Sequence, residues 1–318
     1  MPLRTRAFTM VLDRFVGRSI VGMDLDAIRR ARRAVWPTVA PFTWITGPVF
    51  ADVTRQDTSF TARDGHQVPL RVYRPAGSAE PLPVVVFFHG GGWVLGSTRR
   101  YDPLCTFLAR SVAAVVVSVD YRMAPEHHAP QAAYDSVDSV RWLALHAQTW
   151  GGDSSRLGVC GDSAGGNLAA ILCQVLRDEG GPAICHQALL YPATDATLSQ
   201  PSIREQARAP VLTRTQIDVF LDLYLGRDGL AAEDPLVSPL WARSHASLPP
   251  ALVQTADLDP LRDEGRLYAE RLAGAGVPVR YTNYVGTPHG FASFPGATPV
   301  GRQHRDELVG QLRRHLHP

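Results

Sequence analysis

Lysine is absent from this chain of 318 residues, and all 32 basic side chains are arginine. That removes Schiff-base chemistry, the phosphate-binding lysine of a P-loop and the Ser-x-x-Lys nucleophile pair from the candidate activities. Cysteine is scarce as well. Cys105, Cys160, Cys173 and Cys185 show no CxxC spacing, so buried free thiols are expected rather than a metal site or a disulfide framework. Long hydrophobic runs are also missing. The apolar stretch 7–12 ends at Asp13, too short for the core of a signal peptide, and no run approaches a membrane span. The expectation is a soluble cytoplasmic protein. A net charge of +2 is too mild to call for a nucleic-acid partner.

What is present suits a globular enzyme: 45% hydrophobic and 19% charged residues allow a sizeable core. Residues 1–50 read as helices and are expected to form an N-terminal helical cap segment. Within it, 24–36 opens with acidic residues and stops before Pro37. Leu25, Ile28 and Val35 share one face there, with a solvated fan of arginines opposite. From Phe60 the pattern changes. Residues 68–73 alternate like a half-buried strand. Short apolar runs follow at 84–88, 113–119, 157–160, 188–190, 251–254 and 277–284, most of them rich in β-branched residues, as strands buried on both faces are. Helical stretches such as 132–146, 164–178 and 261–273 lie between them. This alternation predicts an α/β fold over 51–318, a mainly parallel central sheet flanked by helices. Residues 199–226 interrupt it with a helical stretch at 213–225, which is expected to be an insertion joining the N-terminal helices as a cap.

Chemistry concentrates in Gly161-Asp-Ser-Ala-Gly165. The motif follows one apolar strand and opens a helix, the setting in which a nucleophilic serine, Ser163, sits on a sharp turn with its hydroxyl at a helix N-terminus. Upstream, 84–88 runs into His89-Gly-Gly-Gly-Trp93. Consecutive glycines let backbone N–H groups approach an oxyanion, with the Ala164 amide as a further donor. A dinucleotide site is the rival for Gly90, Gly92 and Gly96, and it fails because no helix opens at these glycines. A serine nucleophile needs a base and an acid, here in the chain order Ser, Asp or Glu, His. His304, His315 and His317 fall in a polar terminal helix and are expected to be exposed. His186 and His245 precede the plausible acid. His289 remains, in a turn after a strand. For the acid, Asp259 lies in a strand-to-helix loop, with Asp257 and Asp263 as competitors that spacing alone does not dismiss.

Together, His89-Gly-Gly-Gly-Trp93, Asp120-Tyr-Arg-Met-Ala-Pro-Glu-His127, Gly161-Asp-Ser-Ala-Gly-Gly-Asn167, Asp259-Pro-Leu-Arg-Asp-Glu-Gly265 and His289-Gly-Phe291 resemble the bacterial hormone-sensitive-lipase-like carboxylesterases. The resemblance implies an α/β-hydrolase fold, Asp259 as triad acid, and a mobile helical cap. It also implies an oxyanion hole drawn from Gly90, Gly91, Gly92 and Ala164, with Gly91 and Gly92 foremost. Departures from the family pattern at Asp257, His128 and Met123 touch none of these. The implied activity is hydrolysis of short-to-medium acyl esters, with a small-molecule ester as partner, no cofactor and no metal. A homodimer is a family-level expectation. Trp93, Phe220, Leu221 and Tyr224 either line an acyl pocket or pack the cap. The alternatives are a ligand receptor on the same fold, and amidase, lactonase or acyltransferase chemistry on the same triad.

Overall fold

The strands are β1 (Val53–Thr61), β2 (Gln67–Pro75), β3 (Leu82–Phe88), β4 (Val115–Val119), β5 (Gly152–Asp162), β6 (His186–Leu190), β7 (Ala251–Leu258) and β8 (Val279–Pro288). They form one sheet in the order β1-β2-β4-β3-β5-β6-β7-β8. β1 pairs antiparallel with β2 and β2 with β4, and every other pair is parallel. From residue 20 on, the α-helices are α1 (Leu25–Arg32), α2 (Phe42–Thr46), α3 (Asp102–Val112), α4 (Gln131–His146), α5 (Ala164–Asp178), α6 (Pro201–Glu205), α7 (Arg214–Leu225), α8 (Arg262–Gly274) and α9 (Gly301–Leu316). This computed structural model describes residues 1–3, 5–6, 8–10, 20–77, 80–227 and 229–317.

β3 explains the layering. Its run Leu-Pro-Val-Val-Val-Phe-Phe is buried throughout. Val84, Val86 and Phe88 face one core, and Val85 and Phe87 face the other, because alternate side chains leave a strand on opposite faces. α4, α5 and α8 cover the first core, and α3 and α9 cover the second. The expected mainly parallel sheet with helices on both sides is what forms. β1 is a strand that the hydrophobic pattern did not signal. Only Val53 and Phe60 are buried along it, so an edge strand with a polar middle carries little of the pattern on which such signals depend.

The N-terminal expectation needs correction. Residues 3, 5, 6 and 8–10 are helical, and positions 7, 11 and 12 of the apolar stretch 7–12 lie outside the described residues. α1 starts where expected, with the Asp24 side chain accepting from the Ala27 amide at 2.7 Å, but stops at Arg32. Ile28 is its buried residue, and Leu25 and Val35 are exposed. Nor is the arginine fan simply solvated. Arg29 and Arg32 pair with Glu126 at 3.1 and 2.9 Å, and Arg32 also donates to the Ala124 and Val94 carbonyls. The helix is thus held down by charge-assisted bonds rather than by an apolar stripe. Cys105, Cys160 and Cys173 are buried thiols, whereas Cys185 is part-buried.

The terminal histidines are a further correction. His304 is fully buried, His315 is part-buried and stacks on His186 at 4.5 Å, and only His317 is exposed. The reason is spacing: His304, Leu308, Leu312 and Leu316 recur every fourth residue of α9 and form the stripe that faces the core. Burial pulls the His186 and His304 rings down to about 3 from the usual 6.5. Below pH 6.5 the unfolded chain therefore takes up protons that the folded chain refuses, and stability falls as pH drops from about 6.5 toward 3. A His304→Phe variant is expected to show a flatter acid limb in urea midpoints measured from pH 7 to 4. An unchanged limb would count against this origin.

Candidate active site

Three strand ends converge on one point. β5 ends at Asp162 and α5 begins at Ala164, so Ser163 is the single residue of the turn, at φ 54° and ψ −120°. Its amide donates to the Leu190 carbonyl at 2.8 Å, and its own carbonyl accepts from Asn167 and Ala193. Gly165 allows the turn to fit. A Cβ there would lie 1.9 Å from the Phe88 carbonyl oxygen, a distance that no side chain survives.

His289 follows directly on β8, and Asp259 directly on β7. His289 Nδ1 lies 2.7 Å from Asp259 Oδ2, and His289 Nε2 lies 2.9 Å from Ser163 Oγ. An ionised carboxylate can only accept, so Nδ1 carries the proton and Nε2 accepts from the serine hydroxyl. Asp259 is fully buried and His289 nearly so. The second Asp259 oxygen accepts from the Leu261 amide at 2.9 Å, which fixes the carboxylate plane. The competing acids point elsewhere. Asp257 sits where the β7–β8 register shifts and accepts from the Gly286 amide. Asp263 accepts from the Ser202 amide and pairs with Arg262.

The glycine loop lies against this line of residues. The amides of Gly91 and Gly92 have no hydrogen-bond acceptor among the described residues, and Ala164 opens α5, where a helix leaves its N–H groups unpaired. Gly90 differs from the expectation. Its amide is already bound to Asp162 Oδ1 at 2.8 Å and faces the Tyr101 hydroxyl at 3.2 Å, so it braces the loop and is not free to act as a donor. Asp162, Tyr101 and Tyr121 are contributors that motif matching did not single out as such. Tyr121 donates to the His89 carbonyl at 2.7 Å, and the Ala124 amide donates to the Trp93 carbonyl. Arg122 anchors that stretch on buried Asp135 and on Asp64, each at 2.6 Å. Asp120–His127 is therefore a support for the loop. Burial raises the proton affinity of Asp162, against the bonds from Gly90 and Tyr101 that lower it.

A cavity of about 290 Å³ opens over Ser163 and His289. Ile20 and Trp36 come to its wall from the N-terminal segment, and Ile217, Phe220 and Leu221 from α7. Phe220 lies over Gly92, where a Cβ would come within 2.4 Å of its ring. Of the four residues that either line a pocket or pack the cap, Trp93, Phe220 and Leu221 reach the cavity. Tyr224 does not. It is fully buried behind Trp93, with the rings stacked at 4.4 Å and 4°, because a residue three or four positions past Phe220 and Leu221 on a helix continues toward the same neighbours. Among the described residues, no group of acidic, histidine or cysteine side chains can hold a metal ion, and no helix is long and apolar enough to cross a membrane.

A family model described as alpha/beta hydrolase fold matches residues 85–293, a span that includes Ser163, Asp259, His289, the glycine loop and α7. The chain belongs to the α/β-hydrolase family. Within it the chain is of the hormone-sensitive-lipase-like type. It is 45% identical over 254 residues to carboxylesterase NlhH of Mycobacterium tuberculosis, covering 79% of each chain. To an ethyl acetate hydrolase of Pseudomonas putida it is 36% identical over 267 residues, 82% of each chain. Among solved structures, a thermostable esterase from Pseudomonas putida ECU1011 superposes on this hydrolase with a TM-score of 0.88 at 34% identity, covering 99% of this chain and 97% of that one.

Proposed function

We propose that Ser163, His289 and Asp259 work as nucleophile, base and acid in the hydrolysis of short-to-medium acyl esters through an acyl-enzyme. The chain is a carboxylic-ester hydrolase, as its relatives are. The observation that carries the residue roles is the position of His289, bonded to Ser163 on one side and Asp259 on the other at the floor of a cavity. Ser163 Oγ attacks the ester carbonyl carbon as its proton passes to His289 Nε2, and Asp259 stabilises the resulting imidazolium. The carbonyl oxygen, now an anion, is held by the amides of Gly91, Gly92 and Ala164. Collapse breaks the bond to the leaving oxygen, which takes the proton from His289. Water then attacks the acyl-enzyme with His289 as base and releases the acid.

Acyl length follows from space. The cavity of about 290 Å³ stands at the small end of ligand sites, which span roughly 300–1,000 Å³. α7 and the N-terminal segment, which close over it, form the cap. Across p-nitrophenyl esters from acetyl to palmitoyl, kcat/KM is expected to peak at butyryl or hexanoyl, and a fluorophosphonate should label the peptide bearing Ser163. A peak at palmitoyl would sink the short-chain assignment, and labelling elsewhere would sink the mechanism.

A further inference from the structure

We propose that the natural substrate carries a free carboxylate in addition to its ester bond, and that Arg100 binds it. The inference rests on the esterase reading above and names the substrate class for the same pocket. Arg99 and Arg100 are neighbours in the short turn Thr98–Tyr101 that follows the glycine loop, yet they do opposite things. Arg99 is exposed and pairs with Asp57 at 2.6 Å. Arg100 turns inward, is part-buried and lines the cavity that holds Ser163 and His289. Its guanidinium stacks on the Trp36 ring at 4.6 Å, and Trp36 is itself braced edge-on by Phe294 at 5.4 Å. The side chain makes no hydrogen bond or ion pair with any described residue. A ring on one face of a guanidinium leaves its N–H edge open, the edge that takes a carboxylate in two parallel bonds.

The acidic groups of the same wall are already engaged. Asp162 accepts from Gly90, Tyr101 and Tyr191. Asp195 accepts from Thr197, Ser199, Gln200 and Trp241. Glu264 accepts from the Thr194 and Asp195 amides, and burial holds it well above the usual carboxylate range, toward its neutral form. Burial also lowers the proton affinity of Arg100, against the more distant pull of Tyr101 and Asp162, though a guanidinium stays protonated. The pocket therefore offers a positive charge that Asp162 and Tyr101 meet only through space, with no hydrogen-bonded or ion-paired partner among the described residues. An anion delivered by the substrate would meet it.

Two substrate pairs test this. Monoethyl glutarate against ethyl glutaramate places the carboxylate, or its neutral amide counterpart, on the acyl side. 3-Acetoxypropanoate against 3-acetoxypropanamide places it on the alcohol side. Wild type is expected to favour the carboxylate member of one pair by about 10–100-fold in kcat/KM, the worth of a charge-assisted bond. Which pair responds identifies the side. Arg100→Gln should bring that ratio close to one, mainly through KM, and Arg100→Lys should keep part of it. Because each ratio is taken within one variant, loss of folded enzyme lowers both members alike and cannot mimic the effect. Ratios near or below one in both pairs for wild type, or a ratio unchanged in Arg100→Gln, overturn the assignment. Ser163-dependent turnover of p-nitrophenyl butyrate tests the esterase reading separately, so failure of one is distinguishable from failure of the other.

Discussion

Ser163→Ala is expected to lower kcat/KM on p-nitrophenyl butyrate by about 10⁴–10⁶, leaving only what binding and the oxyanion amides supply. The loss is large because the hydroxyl that His289 Nε2 meets at 2.9 Å is the attacking group itself. Stability separates this loss from misfolding. Ser163 sits at φ 54° and ψ −120°, a conformation that costs a non-glycine residue on the order of 1–3 kcal/mol. Ala keeps that cost and Gly relieves it. Ser163→Gly is therefore expected to be as inactive as Ser163→Ala and yet to melt at a higher temperature. A Gly variant that melts below the Ala variant would show that the turn is not strained in the way its angles indicate.

Asp259→Asn is expected to cost about 10⁴ in kcat with little change in fold. An asparagine can still accept from the Leu261 amide through its oxygen, keeping that 2.9 Å bond. Its NH₂ group would then face His289 Nδ1, where the carboxylate now accepts at 2.7 Å. The ring would have to place its proton on Nε2, and a protonated Nε2 cannot receive one from Ser163. Asp257→Asn provides the control. That carboxylate accepts from the Gly286 amide at 3.1 Å, at the point where β7 and β8 slip register, and the variant is expected to stay within a few-fold of wild type. Comparable losses in the two variants would remove Asp259 from its assigned role.

Asp257 and Asp259 also mark the boundary of what the chain discloses. Both are acidic, both follow the same apolar strand, and spacing does not choose between them. The choice came from the resemblance carried by Asp259-Pro-Leu-Arg-Asp. Physically it is made by the register shift between Ala256 and Leu258, a property of two strands together that neither strand carries alone. Ser163 is different. Its strand, turn and helix are contiguous, so local sequence describes its setting, and the structure places it at that turn. His289 stands between the two cases. Chain order and elimination point to it, with His304 set aside as a residue of a polar terminal helix. In fact His304 lies in the core on the fourth-residue stripe of α9. A polar ring amid polar neighbours hides that stripe unless the spacing of Leu308, Leu312 and Leu316 is counted.

By itself the sequence determined the missing lysine, the alternation of apolar runs and helical stretches that yields the parallel sheet, and the serine turn held open by Gly165. These are local or compositional, and chain neighbours suffice to enforce them. Tertiary structure alone decided which groups are free. Gly90 has its amide taken by Asp162 and Tyr101, so it supports the loop instead of offering a donor. Tyr224 stacks behind Trp93, while Phe220 and Leu221 face the cavity. Arg99 meets an aspartate, whereas Arg100, one residue on, stacks on a tryptophan from the N-terminal segment and makes no hydrogen bond or ion pair among the described residues. Whether a polar group has a partner depends on residues brought close by folding rather than by sequence order.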